Sequence, residues 1–187
     1  YVVDCEPDSY LYCGFSKDTD EEEVRQRIED GTLPEILNKI PVRKGESYFI
    51  ETGTVHAIGP GVLICEIQQS SNVTYRLYDY KRRDKYGELR ELHVDKAMDV
   101  VNFHKKDMEA AKTMECKYFS VERYDLAEEN SFNLDDSSFR AFVVLEGTGT
   151  IRCGEEIPYR PADCFLVPAG KKTVAFEGSG IVLKVQV

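Results

Sequence analysis

Three ionisable residues lie within about twenty positions of one another in the stretch KGESYFIETGTVHAIGPGVLICEIQQSSNVTYRLYDY, residues 44–80: His56, Glu66 and Arg76. An imidazole can hold a metal ion through a neutral ring nitrogen. A guanidinium stays charged at any working pH and presents a rigid donor fork to an oxyanion or a phosphate. A carboxylate between them can accept hydroxyl protons. Together these types suit proton transfer beside a carbonyl, in which an enediolate must be stabilised by a Lewis acid or a fixed cation. Each has a plainer account. A lone histidine is more often a core imidazole bonded to backbone, Arg76 could pair with a carboxylate such as Asp79, and Glu66 could face outward from a strand.

The elements that must position these residues read as strands. Tyr48–Ile50 enters a turn at Thr52-Gly53-Thr54, which delivers His56 on the next strand. Val62–Ile67 and Val73–Tyr78, separated by Ser70-Ser71-Asn72, read as a hairpin carrying Glu66 and Arg76. Upstream, Tyr1–Cys5 and Tyr10–Phe15 read as a hairpin across Glu6-Pro7-Asp8-Ser9. The period then switches. Thr19 followed by Glu22 has capping-box spacing, and Val24 with Ile28 marks one helix face ending near Gly31; Ile36, Leu37 and Ile40 predict a second short helix before Pro41. The acidic run 20–23 reads as complement to the helix dipole. His93–Phe103 has helical spacing, with His93 at a helix end. Residues 104–115 read as a connection that includes His104.

From Cys116 onward short strands recur at 117–124, 139–146, 148–153, 163–167, 172–176 and 181–187. Glycine-marked turns separate them at Glu146-Gly147, Cys153-Gly154, Pro168-Ala169-Gly170 and Glu177-Gly178-Ser179-Gly180, a pattern suited to a β-sandwich or barrel.

Composition narrows the function classes. The 187 residues carry a net charge of −10, which opposes broad affinity for nucleic acid or anionic membrane. No apolar run approaches the ~20 residues that span a bilayer, and no signal-peptide layout opens the chain, so the expected location is cytoplasmic. The six cysteines form no CxxC and read as buried free thiols. Lys81-Arg82-Arg83-Asp84-Lys85 reads as a solvated basic loop that could also help draw in a small anionic ligand.

Two segments share a spacing. Gly45 is followed by Glu51, Gly53 and His56; Ala162 is followed at the same intervals by Pro168, Gly170 and Thr173. This resembles the second motif of the cupin superfamily, G-x5-P-x-G-x2-H, in which a jelly-roll hairpin delivers a metal-ligand histidine. The string GTVHAIGPGVLICEIQQSSNVTYRLYDY, followed by Arg90-Glu91-Leu92-His93, is similar to type I mannose-6-phosphate isomerases of the bacterial short form, strongly over residues 45–102 and weakly by pattern beyond 115.

The resemblance implies an all-β fold of tandem cupin barrels with a small helical insertion near 19–40. The first barrel would cover 1–103, a linker 104–115, and a second, degenerate barrel 116–187. It also implies a zinc enzyme interconverting mannose 6-phosphate and fructose 6-phosphate, with His56 a zinc ligand and Arg76 the active-site arginine; Glu66, by its own position and not by the resemblance, could face the same cavity as a substrate-binding carboxylate. In that family the other zinc ligands, a Gln-x-His pair and a glutamate, lie upstream of the position matching Tyr1. The chain opens without methionine in a strand-like run, so the expectation is an N-terminally shortened isomerase that binds zinc poorly and has little activity alone. An unpaired edge at Tyr1–Cys5 would invite a homodimer. The second barrel, with Thr173 where the histidine would stand, is expected to hold no metal. The alternative is a non-catalytic cupin module that binds a sugar or a partner protein.

Overall fold

Local hydrogen-bonding demands, more than hydrophobic alternation, decide which of these segments become strands. The computed structural model describes residues 1–111, 114–127, 130–170 and 172–187. They fall into two units, Tyr1–Ala111 and Lys112–Val187.

In the first unit, β1 (Val2–Cys5) and β2 (Tyr10–Phe15) do not pair with each other as the hairpin reading expects. The chain between them is drawn to residues 59–61: Glu6 N donates to Gly61 O at 2.8 Å and Gly59 N to Tyr10 O at 3.0 Å. Helix α1 (Glu21–Asp30) begins at Asp20, whose side chain accepts from Glu23 N at 2.8 Å, and ends at Gly31 with φ 78°. The capping signal was therefore read one residue early; Thr19 instead donates its hydroxyl to Glu23 Oε2 at 2.9 Å. Leu33–Ile36 form a single 3-10 turn, and β3 (Leu37–Pro41) follows where a second helix was expected. The apolar triplet Ile36, Leu37, Ile40 fits either period over so short a run, and pairing with β2 decides it.

The central strand β2 joins β3 on one side and β4 (His56–Ile58) on the other, while β5 (Val62–Ile64) pairs with β1. Successive β2 side chains serve different clusters, as the two-residue period requires. Leu11 packs with Val2 and Val42. Tyr12 packs against the cluster of Phe15, Val24, Ile28, Leu33 and Leu77 under the helical insertion. Helix α2 (Val94–Met98) is shorter than the 93–103 reading, but Val101 and Phe103 still pack on that cluster.

Residues 48–50 and 73–78 form no ladder strands, against expectation. The backbone beside and within them bonds elsewhere: next to the first segment Ala111 N bonds Ser47 O at 2.7 Å, and in the second His93 N bonds Arg76 O at 2.8 Å. Residues 104–111, read as part of a connection, are stitched to the first unit. Lys106 N bonds Phe15 O at 3.0 Å, and Asn38 Nδ2 reaches the carbonyls of Cys13, Phe15 and Lys106. The remainder of that connection includes residues 112 and 113, which lie outside the described residues.

The second unit is antiparallel throughout its named strands: β6 (Met114–Glu115), β7 (Ser120–Asp125), β8 (Ser131–Leu134), β9 (Arg140–Cys153), β10 (Glu155–Tyr159), β11 (Cys164–Val167) and β12 (Lys172–Gln186). The two glycine-marked breaks expected at 146–147 and 177–180 are not turns. Both β9 and β12 run straight through them, paired to each other from Ala175↔Arg152 to Gln186↔Arg140. The glycines permit close backbone approach: a Cβ on Gly147 would lie 1.9 Å from Ser179 O. Strands β8 and β10 have no counterpart among the expected strands, and β6 falls within the expected connection 104–115. The interior is filled by Phe132, Phe142, Phe176 and Tyr159 with branched aliphatics.

Candidate functional site

His56 opens β4 directly after the Glu51–Thr54 turn, closed by Thr54 N donating to Glu51 O at 3.1 Å. Gly53 has φ 86° there, and a Cβ on it would come within 2.6 Å of Val100 O, so this turn needs glycine. The side chain of Lys106 bonds Glu51 and Thr54, fixing the turn from outside. His56 Nδ1 lies 2.9 Å from Thr54 O. A carbonyl oxygen can only accept, so Nδ1 carries a proton, and in the neutral ring Nε2 then presents its lone pair. The ring is exposed. This is the tautomer and orientation a metal-ligating histidine requires. Among the described residues, however, no group of three or more His, Cys, Asp or Glu could hold a metal ion. His56 fits a metal as one donor; it does not make a site by itself.

Arg76 is half-buried, and its Nη1 donates to Glu91 O at 3.0 Å, not to the Asp79 carboxylate that sequence reasoning offered as an alternative. Its backbone N donates to His93 Nδ1 at 3.1 Å while its carbonyl accepts from His93 N at 2.8 Å. His93, read only as a helix-end residue, is thus the clamp on the backbone of Arg76 as well as the residue preceding α2. Glu66 is exposed and follows Cys65, whose carbonyl accepts from the Tyr1 amino group at 3.1 Å. His56 and Arg76 are therefore engaged with different partners, and the bond beside Glu66 is made by the backbone of Cys65. His104, expected in the connection, is exposed and lies 3.6 Å from Asp18.

Asp79 is the residue the sequence reading undervalued. It is only 7% exposed, and its Oδ1 accepts from Arg82 and, at 3.4 Å, from Arg90. Its Oδ2 is buried with no hydrogen-bond partner among the described residues. The Arg82 bond holds this carboxyl below its ordinary range against the opposing effect of burial, with the charges of Arg82, Arg90 and Arg76 assisting. A polar residue within the apolar alternation Tyr75, Leu77, Asp79, flanked by arginines, was the available signal. The neighbouring basic residues are each tethered: Lys81 Nζ to Glu29 O at 3.1 Å, Arg83 Nη1 to Gly87 O at 2.6 Å, and Lys85 Nζ 4.9 Å from the centre of the Tyr86 ring.

In the second unit, Thr173 donates its hydroxyl to Asn133 Oδ1 at 2.9 Å across β12 and β8. All six cysteines are free thiols, as expected, but only Cys13 is buried; Cys5, Cys65, Cys116 and Cys153 are partly exposed and Cys164 is exposed, where burial was expected for all. Burial pushes the Cys13 thiol up to about 11, which makes it inert near neutrality.

Residues 109–187 match the family described as mannose-6-phosphate isomerase, cupin domain. The chain is 37% identical to the mannose-6-phosphate isomerase ManA of Bacillus subtilis over 191 residues, covering 95% of this chain and 60% of that protein. The mannose-6-phosphate isomerase of Streptococcus mutans is 31% identical over the same shares of the two chains. The crystal structure of the B. subtilis mannose 6-phosphate isomerase matches with a TM-score of 0.85 at 29% identity, covering 100% of this chain and 63% of that one. A putative mannosephosphate isomerase from Archaeoglobus fulgidus, with a TM-score of 0.73 and 18% identity over 98% of this chain and 58% of its own, shares the fold. The chain spans about 60% of the length of the curated relatives it matches.

Proposed function

We propose that the chain belongs with the mannose-6-phosphate isomerases it resembles and carries part of a site that interconverts mannose 6-phosphate and fructose 6-phosphate. The observation that carries this reading is His56: its Nδ1 proton is committed to Thr54 O, so Nε2 is the nitrogen available to a metal. His56 supplies one zinc ligand, and the remaining donors are sought in the part of the relatives that the chain does not span. Zinc, where bound, polarises the sugar oxygens and lowers the cost of negative charge on them.

The chain's own residues then have these tasks. The reaction takes a proton from the carbon beside the carbonyl and returns it to the neighbouring carbon, through an enediolate. Arg76, whose backbone is pinned by His93, offers a permanent positive charge and directional N–H groups to that oxyanion. Glu66, exposed past β5, accepts a sugar hydroxyl. The basic segment 81–90 meets the phosphate. No helix among the described residues is long and apolar enough to cross a membrane, and the proposal places the enzyme in the cytoplasm.

The test compares the 187-residue chain with a version extended to the full length of its relatives. In the short chain zinc binding should be weak and should vanish in His56→Ala. The extended version should hold one zinc and isomerise mannose 6-phosphate, and Arg76→Ala in it should lower kcat about 100- to 1,000-fold. Stoichiometric zinc that survives His56→Ala, or full activity in Arg76→Ala, would remove the roles assigned here. Sugar binding without zinc or turnover in the extended version would instead favour a non-catalytic cupin module.

A further inference from the structure

The turn that carries Asp79 is built under strain. Tyr80 and Lys81 both adopt left-handed backbone, with φ 55° and 53°, a conformation costly for side chains of this size. Arg82 N donating to Asp79 O at 3.0 Å closes the turn. Two long-range bonds hold it against the end of α1: Tyr78 Oη donates to Gly31 O at 3.3 Å and Lys81 Nζ to Glu29 O at 3.1 Å. Leu77 anchors the preceding residue in the core. Strain of this kind persists only where the surroundings over-determine it. Here its result is to place a buried carboxylate between two accessible guanidinium groups, the side chains of Arg82 and Arg90 being 62% and 48% exposed.

We propose that Asp79 is a positioning residue: its carboxylate fixes the direction of the Arg82 and Arg90 guanidinium groups, so that they meet a phosphate monoester as a set fork. The inference rests on the reading that segment 81–90 meets the phosphate. Each arginine commits one N–H of its five to Asp79 Oδ1, which leaves the remaining donors of each for a ligand. An arginine held in this way loses less rotamer entropy when an anion binds than one moving freely in water. A buried carboxylate is tolerated only while its cations stay in place, and Oδ2 has no other partner among the described residues to take their share. The arrangement therefore couples the two arginines through one acid.

The role makes a prediction of unusual sign. Replacing Asp79 by asparagine adds one unit of positive charge to the neighbourhood, so a purely electrostatic account expects inorganic phosphate to bind more tightly. Positioning expects it to bind more weakly. The experiment uses the 187-residue chain, with nitrogen relaxation of the arginine Nε–H groups and calorimetric titration of inorganic phosphate. In the wild type Arg82 Nε–H should be restricted. In Asp79→Asn it should become as mobile as an untethered surface arginine, and phosphate binding should weaken about tenfold, the size expected when one charge-assisted contact is lost. Unchanged order at Arg82, or equal or tighter phosphate binding, would overturn the proposal.

An ordered Arg82 in a wild-type chain that binds no phosphate would leave the positioning role standing and remove the phosphate reading. Should Asp79→Asn fail to fold, judged by near-ultraviolet circular dichroism, Asp79→Glu supplies the same test. It keeps the charge but moves it by one methylene, so Arg82 should loosen and phosphate binding weaken; no change in either would refute positioning.

Discussion

The two units apportion regular structure in opposite ways. In the second, strands β9 and β12 run 14 and 15 residues, and the interior is closed by aromatic rings whose centres lie 4.8–6.0 Å apart. In the first, the longest strand is the six-residue β2, and the candidate residues sit at the end of a turn or on irregular backbone between 65 and 93. The contrast shows what each arrangement is fit for. A filled interior leaves no room for a sugar. Irregular backbone fixed to a rigid frame can aim His56, Arg76 and Asp79 individually, because each has its own local tether.

The comparison can be broken at the filled interior. Phe176→Ala removes a side chain 1% exposed and touching Phe132, Phe142 and Tyr159, so urea unfolding of the second unit should lose about 3–5 kcal/mol. A loss below about 1 kcal/mol would mean that the unit is not packed as described.

The tethering of the first unit is sharpened at Asn38. One amide nitrogen is shared among three carbonyls, from Cys13, Phe15 and Lys106, and Asn38→Ala leaves those acceptors without it. The expected cost is about 1–3 kcal/mol, with faster hydrogen exchange at Lys106 N, which bonds Phe15 O. The smallest effect is at the start of α1. Bonds from Lys17, Arg27 and Thr19 lower the Glu23 carboxyl from 4.5 to about 2. A carboxyl depressed on folding contributes stability above its unfolded pKa and loses it as pH falls towards its folded one. The thermal midpoint of the wild type should therefore fall between about pH 4.5 and pH 2 by more than that of Glu23→Gln, and parallel curves would contradict this.

These elements also show what was legible in the sequence. The helix between Asp20 and Gly31 could be read because its signals are local: an acidic cap, Val24 and Ile28 on one face, glycine after the last turn. The turn delivering His56 was legible for the same reason. Val73–Tyr78 failed because alternation shows which side chains can face a core and not where the backbone bonds; His93, seventeen residues away, takes both the N–H and the carbonyl of Arg76. Glycines 147, 178 and 180 were misread as turns because the same residue that permits a bend also permits two backbones to touch. Asp79 was seen only as a partner for Arg76, since its burial depends on a turn whose strain involves Tyr80 and Lys81, residues that carry no turn signal.

The place of β12 has a consequence for how the second unit is made. This one strand bonds to β7, β8 and β9, yet it is translated after all of them. Synthesis from residue 120 to residue 186 takes on the order of several seconds, during which β9 can pair with β10 and β11, but among the described residues β8 lacks its partner and β7 has only the two-residue β6. The unit cannot close its interior until β12 leaves the ribosome; until Phe176 arrives Phe132 and Phe142 lack one of their ring contacts, and for that interval they are natural targets for a chaperone that recognises aromatic segments.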